Sequence, residues 1–196
     1  MSLMNRPVRW IYCALAGLVA AAIGARVHPA ICVQFSRPKP AALHMSIPPP
    51  AVVTARFIAR HYEVSPVRAR QITDTVFRVS REHRINPYLV LAVIAIESSF
   101  RPRVISHCGD AYGLMQIEVR AHQWRVAAAG GRSRLFRVTS NIRIGVALLV
   151  RYGARAGARA GPRLKHALWR YSGGEFGYAR RVLRLSAMLQ QKAQQI

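Results

Sequence analysis

Carboxylates are scarce in this chain. Only 7 of its 196 residues are Asp or Glu, against 30 Lys and Arg, and the formal charge is +23. Lysine is scarce too: the basic residues are 27 Arg and only Lys39, Lys165 and Lys192. Such a balance reflects either an acidic partner or an Ala- and Arg-rich coding bias, and composition alone leaves both open. The guanidinium fork suits carboxylates and phosphates. The charge is spread along the chain and not gathered into one basic arm, which weakens a nucleic-acid reading. Cysteine occurs 3 times, with no CxxC and no HExxH, and the adjacent His107-Cys108 lacks zinc-ligand spacing. No metal and no cofactor are expected. Strand-like alternation is almost absent and no long internal repeat occurs, which leaves a mainly α domain built as a small non-bundle fold.

A long apolar run is also missing. A membrane span needs about 20 residues, and the uncharged run 10–25 has 16. It follows Arg6 and Arg9, ends in small residues at Ala22, Gly24 and Ala25, and is followed by Arg26 and Pro29. Residues 1–30 therefore read as a signal peptide, with an anchor through residues 10–25 as the alternative. Either places the protein in the periplasm or cell envelope. Cys13 falls in this leader. Cys32 and Cys108 then remain as one disulfide or two free thiols. Residues 31–50, with Pro38, Pro40, Pro48, Pro49 and Pro50, read as a linker. Residues 51–80 are expected to form N-terminal helices and 81–191 the core domain. Ser65-Pro66 starts one helix, and Val67, Ile72, Val76, Phe77 and Val79 carry it towards His83. Residues 114–117 form an apolar patch in a loop or brief strand. Asn141 is expected to begin another helix. Gly145 inside it costs about 1 kcal/mol relative to Ala, so something approaches closely there. Residues 153–161 read as a flexible turn. Trp169 follows a Pro162 helix start, and Phe176, Tyr178 and Val182 turn a last helix to the core.

Glu97 stands out against this background. It closes the unbroken apolar run 88–96, and Asn86-Pro87 opens that run as an N-cap followed by proline at the first helical position. A helix apolar on all sides is buried. Glu97 then lies at its C-terminal end, where desolvation and the helix dipole both disfavour the anion. A carboxyl kept protonated near neutral pH can give a proton to a leaving group. The bland alternative is an ion pair with Arg101 or Arg103.

Four segments stand in order: Glu97-Ser98-Ser99-Phe100, Ser106, Gly113-Leu114-Met115-Gln116-Ile117, and Ala167-Leu168-Trp169-Arg170-Tyr171-Ser172-Gly173-Gly174. Over roughly residues 80 to 190 they resemble the lysozyme-like domain of soluble lytic transglycosylases, with its ES, GLMQ and AYN-type motifs. The resemblance implies a lysozyme-like helical domain with a catalytic Glu at the end of a buried helix, preceded by a leader and Pro-rich linker. Glu97 would be the acid and base. Ser106, Met115, Gln116 and Tyr171 would bind substrate, with Tyr171 facing Glu97. Ser172 replaces the usual Asn, and Gly109 and Gly113 are one residue further apart than in the usual pattern.

The segment from Tyr112 to Glu118, with Arg120 and His122, is also similar to goose-type lysozymes, which hydrolyse. Asp110 and Glu118 are the candidate second carboxylates for that chemistry, and Glu118 has Arg120 and Arg125 near enough in sequence to pair with. The resemblance thus implies an enzyme that cuts the β-1,4 bond between N-acetylmuramic acid and N-acetylglucosamine in peptidoglycan, leaving 1,6-anhydromuramic acid. The alternatives are hydrolysis of the same bond, or a non-catalytic wall-binding or secretion-apparatus component. Glycan strands are the expected partner, and the basic surface suits their carboxylate-bearing peptide stems. The leader and the Glu97 constellation argue against nucleic acid.

Overall fold

Asn86 and Pro87 start the helix around which the other elements are arranged. In the computed structural model, which describes residues 49–154 and 161–194, this helix is α3, Pro87–Ser98. The Asn86 side chain accepts from the Tyr88 N–H at 2.9 Å, satisfying one orphan donor of the first turn. Leu89, Val90, Leu91, Ala92, Val93, Ile94 and Ala95 are all buried. The helix therefore has no solvent face over these two turns, as its uninterrupted apolar sequence requires. Truncating any one of its large side chains would cost about 2–5 kcal/mol.

Before α3 come α1 (Pro49–His61) and α2 (Pro66–His83), packed on each other. Ser65 caps α2 by accepting from the Arg68 N–H at 3.3 Å, and Arg84 ends it in a left-handed conformation. After α3 the chain makes a two-stranded antiparallel hairpin, β1 (Ala111–Tyr112) and β2 (Ile117–Glu118), in which Ala111 faces Glu118 and Tyr112 faces Ile117. Then follow α4 (Gln123–Ala128), a 3₁₀ turn at Arg132–Phe136, α5 (Val138–Tyr152), α6 (Pro162–Tyr171) and α7 (Tyr178–Gln194). α7 packs on α3, α1 and α6, and α5 packs on α2 and α6. One apolar core runs through all of them, from Ile58 to Leu189, so residues 51–80 and 81–191 feed the same core. The mainly α fold expected from the sequence is the fold observed.

Local details correct or sharpen these expectations. Pro49 and Pro50, the end of the expected linker, form the first turn of α1. Val67 is 82% exposed: the inward face of α2 is Ala69, Ile72, Val76 and Val79, and Val67 lies roughly 200° around the helix from Ala69. Phe176 is 91% exposed because it precedes α7 and sits between Gly174 and Gly177, both at positive φ. Trp169 is half-exposed, stacked on His166. Asn141 does not start a helix. α5 begins three residues earlier, and Asn141 is fully buried inside it. Cys108 is exposed. The expected leader (1–30), its apolar run, Cys13, Cys32, most of the linker and residues 155–160 lie outside the described residues. Among the described residues no helix is long and apolar enough to cross a membrane.

Candidate active site

The last turn of α3 carries Glu97 to the edge of the core. Directly beyond it the backbone takes two successive left-handed residues, Ser99 (φ 49) and Phe100 (φ 61). Such conformations are uncommon outside glycine and persist where the surroundings over-determine them. The restraints are visible. Phe100 is fully buried and meets Tyr62 edge-on at 4.7 Å. Ser98, also buried, donates to both the Ile94 carbonyl (3.1 Å) and the Leu114 carbonyl (2.8 Å). The serine of the Glu-Ser pair thus ties the helix end to the 113–117 loop.

That loop is clamped on every side. The Asn141 carboxamide accepts from the Met115 N–H at 2.7 Å and donates to the Tyr112 and Leu135 carbonyls, each at 2.9 Å. Gly113 has to be glycine: at φ +79, an added Cβ would lie 2.2 Å from the Leu135 carbonyl oxygen and 2.3 Å from Asn141 Nδ2. Gln116, itself at φ 44, donates from Nε2 to the Gly113 carbonyl (2.9 Å) and the Val104 carbonyl (3.3 Å). Tyr171 donates to the Met115 carbonyl at 2.8 Å. The Met115 side chain is fully buried on α5, where a Cβ on Gly145 would come within 2.4 Å of its sulfur. Gly145 is therefore explained by this methionine. Met115 presents its backbone, not its side chain, to Tyr171, which corrects its expected place on a groove wall.

Glu97 accepts a hydrogen bond of 2.5 Å from the Tyr178 hydroxyl. Tyr178, and not Tyr171, is the residue on the carboxylate. Tyr171 stands close enough for the Glu97 charge to add to the upward push that burial gives its phenol. Burial raises the Glu97 carboxyl above its usual 4.5; the Tyr178 hydrogen bond opposes this, the charge of Glu175 reinforces it, and Arg181 opposes it. Burial likewise raises Tyr178, with the Glu97 charge adding to it, so the phenol remains a donor. Arg101, adjacent in sequence, donates to the Ser98 carbonyl at 3.3 Å. The ion-pair alternative for Glu97 does not form: among the described residues no arginine lies within ion-pair distance of it.

The other acids are mostly matched by arginines. Asp74 takes Arg70 at 3.1 Å, Glu82 takes Arg78 and Arg143, and Glu175 takes Arg181. Asp110 pairs with Arg120 at 3.2 Å, so Arg120 serves Asp110 and not Glu118. Glu118 is exposed and its charge acts on His122, which burial pushes down. Ser106 accepts from the Asp110 and Ala111 N–H groups at 3.2 and 3.0 Å, bracing the start of the hairpin. Of the acids, the one whose charge acts on Glu97 is Glu175. Ser172, the replacement for the usual Asn, donates to the Trp169 carbonyl (2.9 Å) and accepts from the Glu175 N–H (3.1 Å). Its single hydroxyl thus orders the turn leading to Glu175. Among the described residues no three His, Cys, Asp or Glu side chains group as metal ligands would.

The structure therefore brings Tyr171, and through it the Met115 carbonyl, towards Glu97 and adds Tyr178 and Glu175 there, while Gln116 and Asn141 brace the 113–117 loop and Ser106 the hairpin. Two of these carried a signal in the sequence. Asn141 is an amide inside the apolar stripe of α5, and a polar residue at a core position has to be satisfied by something. Tyr178 begins a helix whose other inward residues include Val182 and Leu189, neither with a polar tip.

Comparison with known proteins identifies the family. The family model described as Transglycosylase SLT domain matches residues 74–192, more than half of the chain. A membrane-bound lytic murein transglycosylase C of Actinobacillus pleuropneumoniae serotype 5b (strain L20) is 32% identical over 103 residues, covering 50% of this chain and 27% of the relative. Its namesake from Cronobacter sakazakii (strain ATCC BAA-894) is 35% identical over 103 residues, 50% of this chain and 28% of the relative. The chain thus spans under a third of the length of these relatives. No solved structure gives a significant match.

Proposed function

The chain belongs to the transglycosylase SLT domain family, and from that premise we propose that it cleaves peptidoglycan glycan strands between N-acetylmuramic acid and N-acetylglucosamine, leaving a 1,6-anhydromuramic end. One observation carries the reading. In a chain with 27 arginines, Glu97 is half-buried, accepts from a tyrosine, and has no arginine within ion-pair distance among the described residues. A carboxyl desolvated in this way holds its proton to higher pH than an exposed one, the direction a general acid needs.

Glu97 gives its proton to the glycosidic oxygen as the C1–O bond breaks. The resulting carboxylate then takes the proton of the muramic acid 6-hydroxyl as that oxygen closes on C1. Water would need a second carboxylate to activate it. Asp110 is held by Arg120, and Glu175 by Arg181. Pairing with a cation lowers a carboxylate's basicity. Glu118 is exposed and its charge acts on His122, not on Glu97. With those two carboxylates engaged by arginines and the third directed elsewhere, the intramolecular hydroxyl is the nucleophile favoured by proximity. The clamped 113–117 loop and Tyr171 form the wall next to the acid. The cell-envelope location proposed for the protein is supported by the relatives' description as membrane-bound.

The test is to digest purified sacculi and weigh the products. Anhydro ends, lighter than reducing ends by one water, are expected. Predominantly reducing ends would reject the transglycosylase reading and turn attention to Glu175, the acid electrostatically linked to Glu97.

A further inference from the structure

Glu175 and Arg181 take no part in the reaction just described, yet both act on its acid. Glu175 sits next to Gly174, which is at φ +97, in the segment joining α6 to α7. Its N–H donates to Ser172 Oγ at 3.1 Å, and its carboxylate accepts from Arg181 Nη2. Arg181 lies three residues beyond Tyr178 on α7, on the same face, with its guanidinium 5.7 Å from the Tyr178 ring centre. Tyr178 in turn holds Glu97 at 2.5 Å. Four groups thus form one connected series from the surface to the acid.

We propose that Glu175 and Arg181 are positioning residues that, as opposed charges across Tyr178, control the protonation of Glu97 and with it the upper pH edge of glycan cleavage. The inference rests on Glu97 being the acid, as read above. The groups facing Glu97 are Tyr178 from α7, Tyr171 from α6, and the two charges Glu175 and Arg181. Burial keeps both phenols neutral. On α2, Asp74 and Glu82 are already matched by Arg70 and Arg78. The pair is therefore the source of formal charge at Glu97 among the described residues. The anion favours the protonated acid, the cation the ionised one. Both side chains are half-exposed, so each is open to substitution without loss of core.

The experiment is a carbon-13 titration of the glutamate carboxyls in the full chain, which has only five Glu, with Glu97→Gln assigning the resonance. Glu175→Gln should move the Glu97 titration to lower pH. Arg181→Gln should move it to higher pH. The double variant should return towards the unsubstituted protein, and Arg181→Lys, which keeps the charge, should stay near it. The upper limb of kcat/KM on sacculi should shift in the same order. The shifts should shrink between 0.1 M and 1 M salt, as the Debye length falls from about 10 Å to about 3 Å. Single variants that move Glu97 in the same direction, or leave it unmoved, overturn the proposal. Because the titration needs no turnover, it separates the two readings. Correct shifts without sacculus cleavage would keep the charge pair and reject the glycan-cleaving function. Cleavage without shifts would do the reverse.

Discussion

Residues 113–117 and residues 172–177 both flank Glu97, and they are held by different means. The first is fixed by buried and part-buried hydrogen bonds from three separate helices: Ser98 on α3, Asn141 on α5 and Tyr171 on α6. Its Leu114 and Met115 side chains are fully buried. The second turns at Gly173, Gly174 and Gly177, all at positive φ, is exposed at Glu175 and Phe176, and is ordered by the one hydroxyl of Ser172. The difference divides the work. The buried side sets distances, because an unpaired polar group there is costly. The exposed side carries the acid and the arginine whose charges reach Glu97, where water and salt modulate them.

The contrast can be broken first at its centre. Glu97→Gln should lower sacculus cleavage by about 10²–10⁴-fold, the usual contribution of a general acid, with the circular dichroism spectrum unchanged. Wild-type cleavage would remove Glu97 from the mechanism. The same variant carries a stability signature. Because the folded pKa lies above 4.5, the native state binds more protons than the unfolded state as pH rises past that value, and stability falls through that window. Glu97→Gln should therefore melt higher than the parent at neutral pH and level with it below the window. A lower melting point at neutral pH would contradict the desolvated carboxyl.

On the buried side, Asn141→Leu strands the Met115 N–H and two carbonyls. At about 1–3 kcal/mol for each of the three unpaired groups, a loss of roughly 3–9 kcal/mol is expected in urea unfolding. A loss below about 1 kcal/mol would mean the loop does not depend on this clamp. Between the two sides, Tyr178→Phe removes the hydrogen bond on Glu97. Cleavage should drop about tenfold, equivalent to a charged hydrogen bond of about 1.5 kcal/mol. The upper pH limb should move higher, since that bond lowers the Glu97 pKa. A limb that moves lower would rule out the assigned contact. On the exposed side, Ser172→Ala should cost less than about 1 kcal/mol, and a loss as large as that of Asn141→Leu would erase the distinction between the two regions.

What was legible in the sequence follows the same division. Asn86-Pro87, Ser65-Pro66 and the apolar run before Glu97 are local signals, and each produced the expected helix end or buried helix. The mainly α fold and the position of Glu97 followed from them. The partners of Glu97 were not local. Tyr171 and Tyr178 are seven residues apart with a glycine-rich turn between them, and only the packing of α7 on α3 decides which phenol reaches the carboxylate. Met115 reads as a groove residue from the family resemblance alone, while its burial depends on Gly145, thirty residues away. Apolarity alone places Phe176 inside, and the later start of α7 leaves it outside.

The placement of Glu97 on α3 has a consequence for hydrogen exchange and inactivation. Its own helix is the buried centre of the core, and Ser98 fastens the last turn to another segment. Amides at the end of an isolated helix fray and exchange quickly; those of residues 94–98 should exchange only when the whole domain opens. Residues 173–177 should exchange through local openings instead. The acid then cannot be lost by partial melting. Activity should persist up to the cooperative transition and vanish with it, so heat inactivation should follow the global unfolding rate.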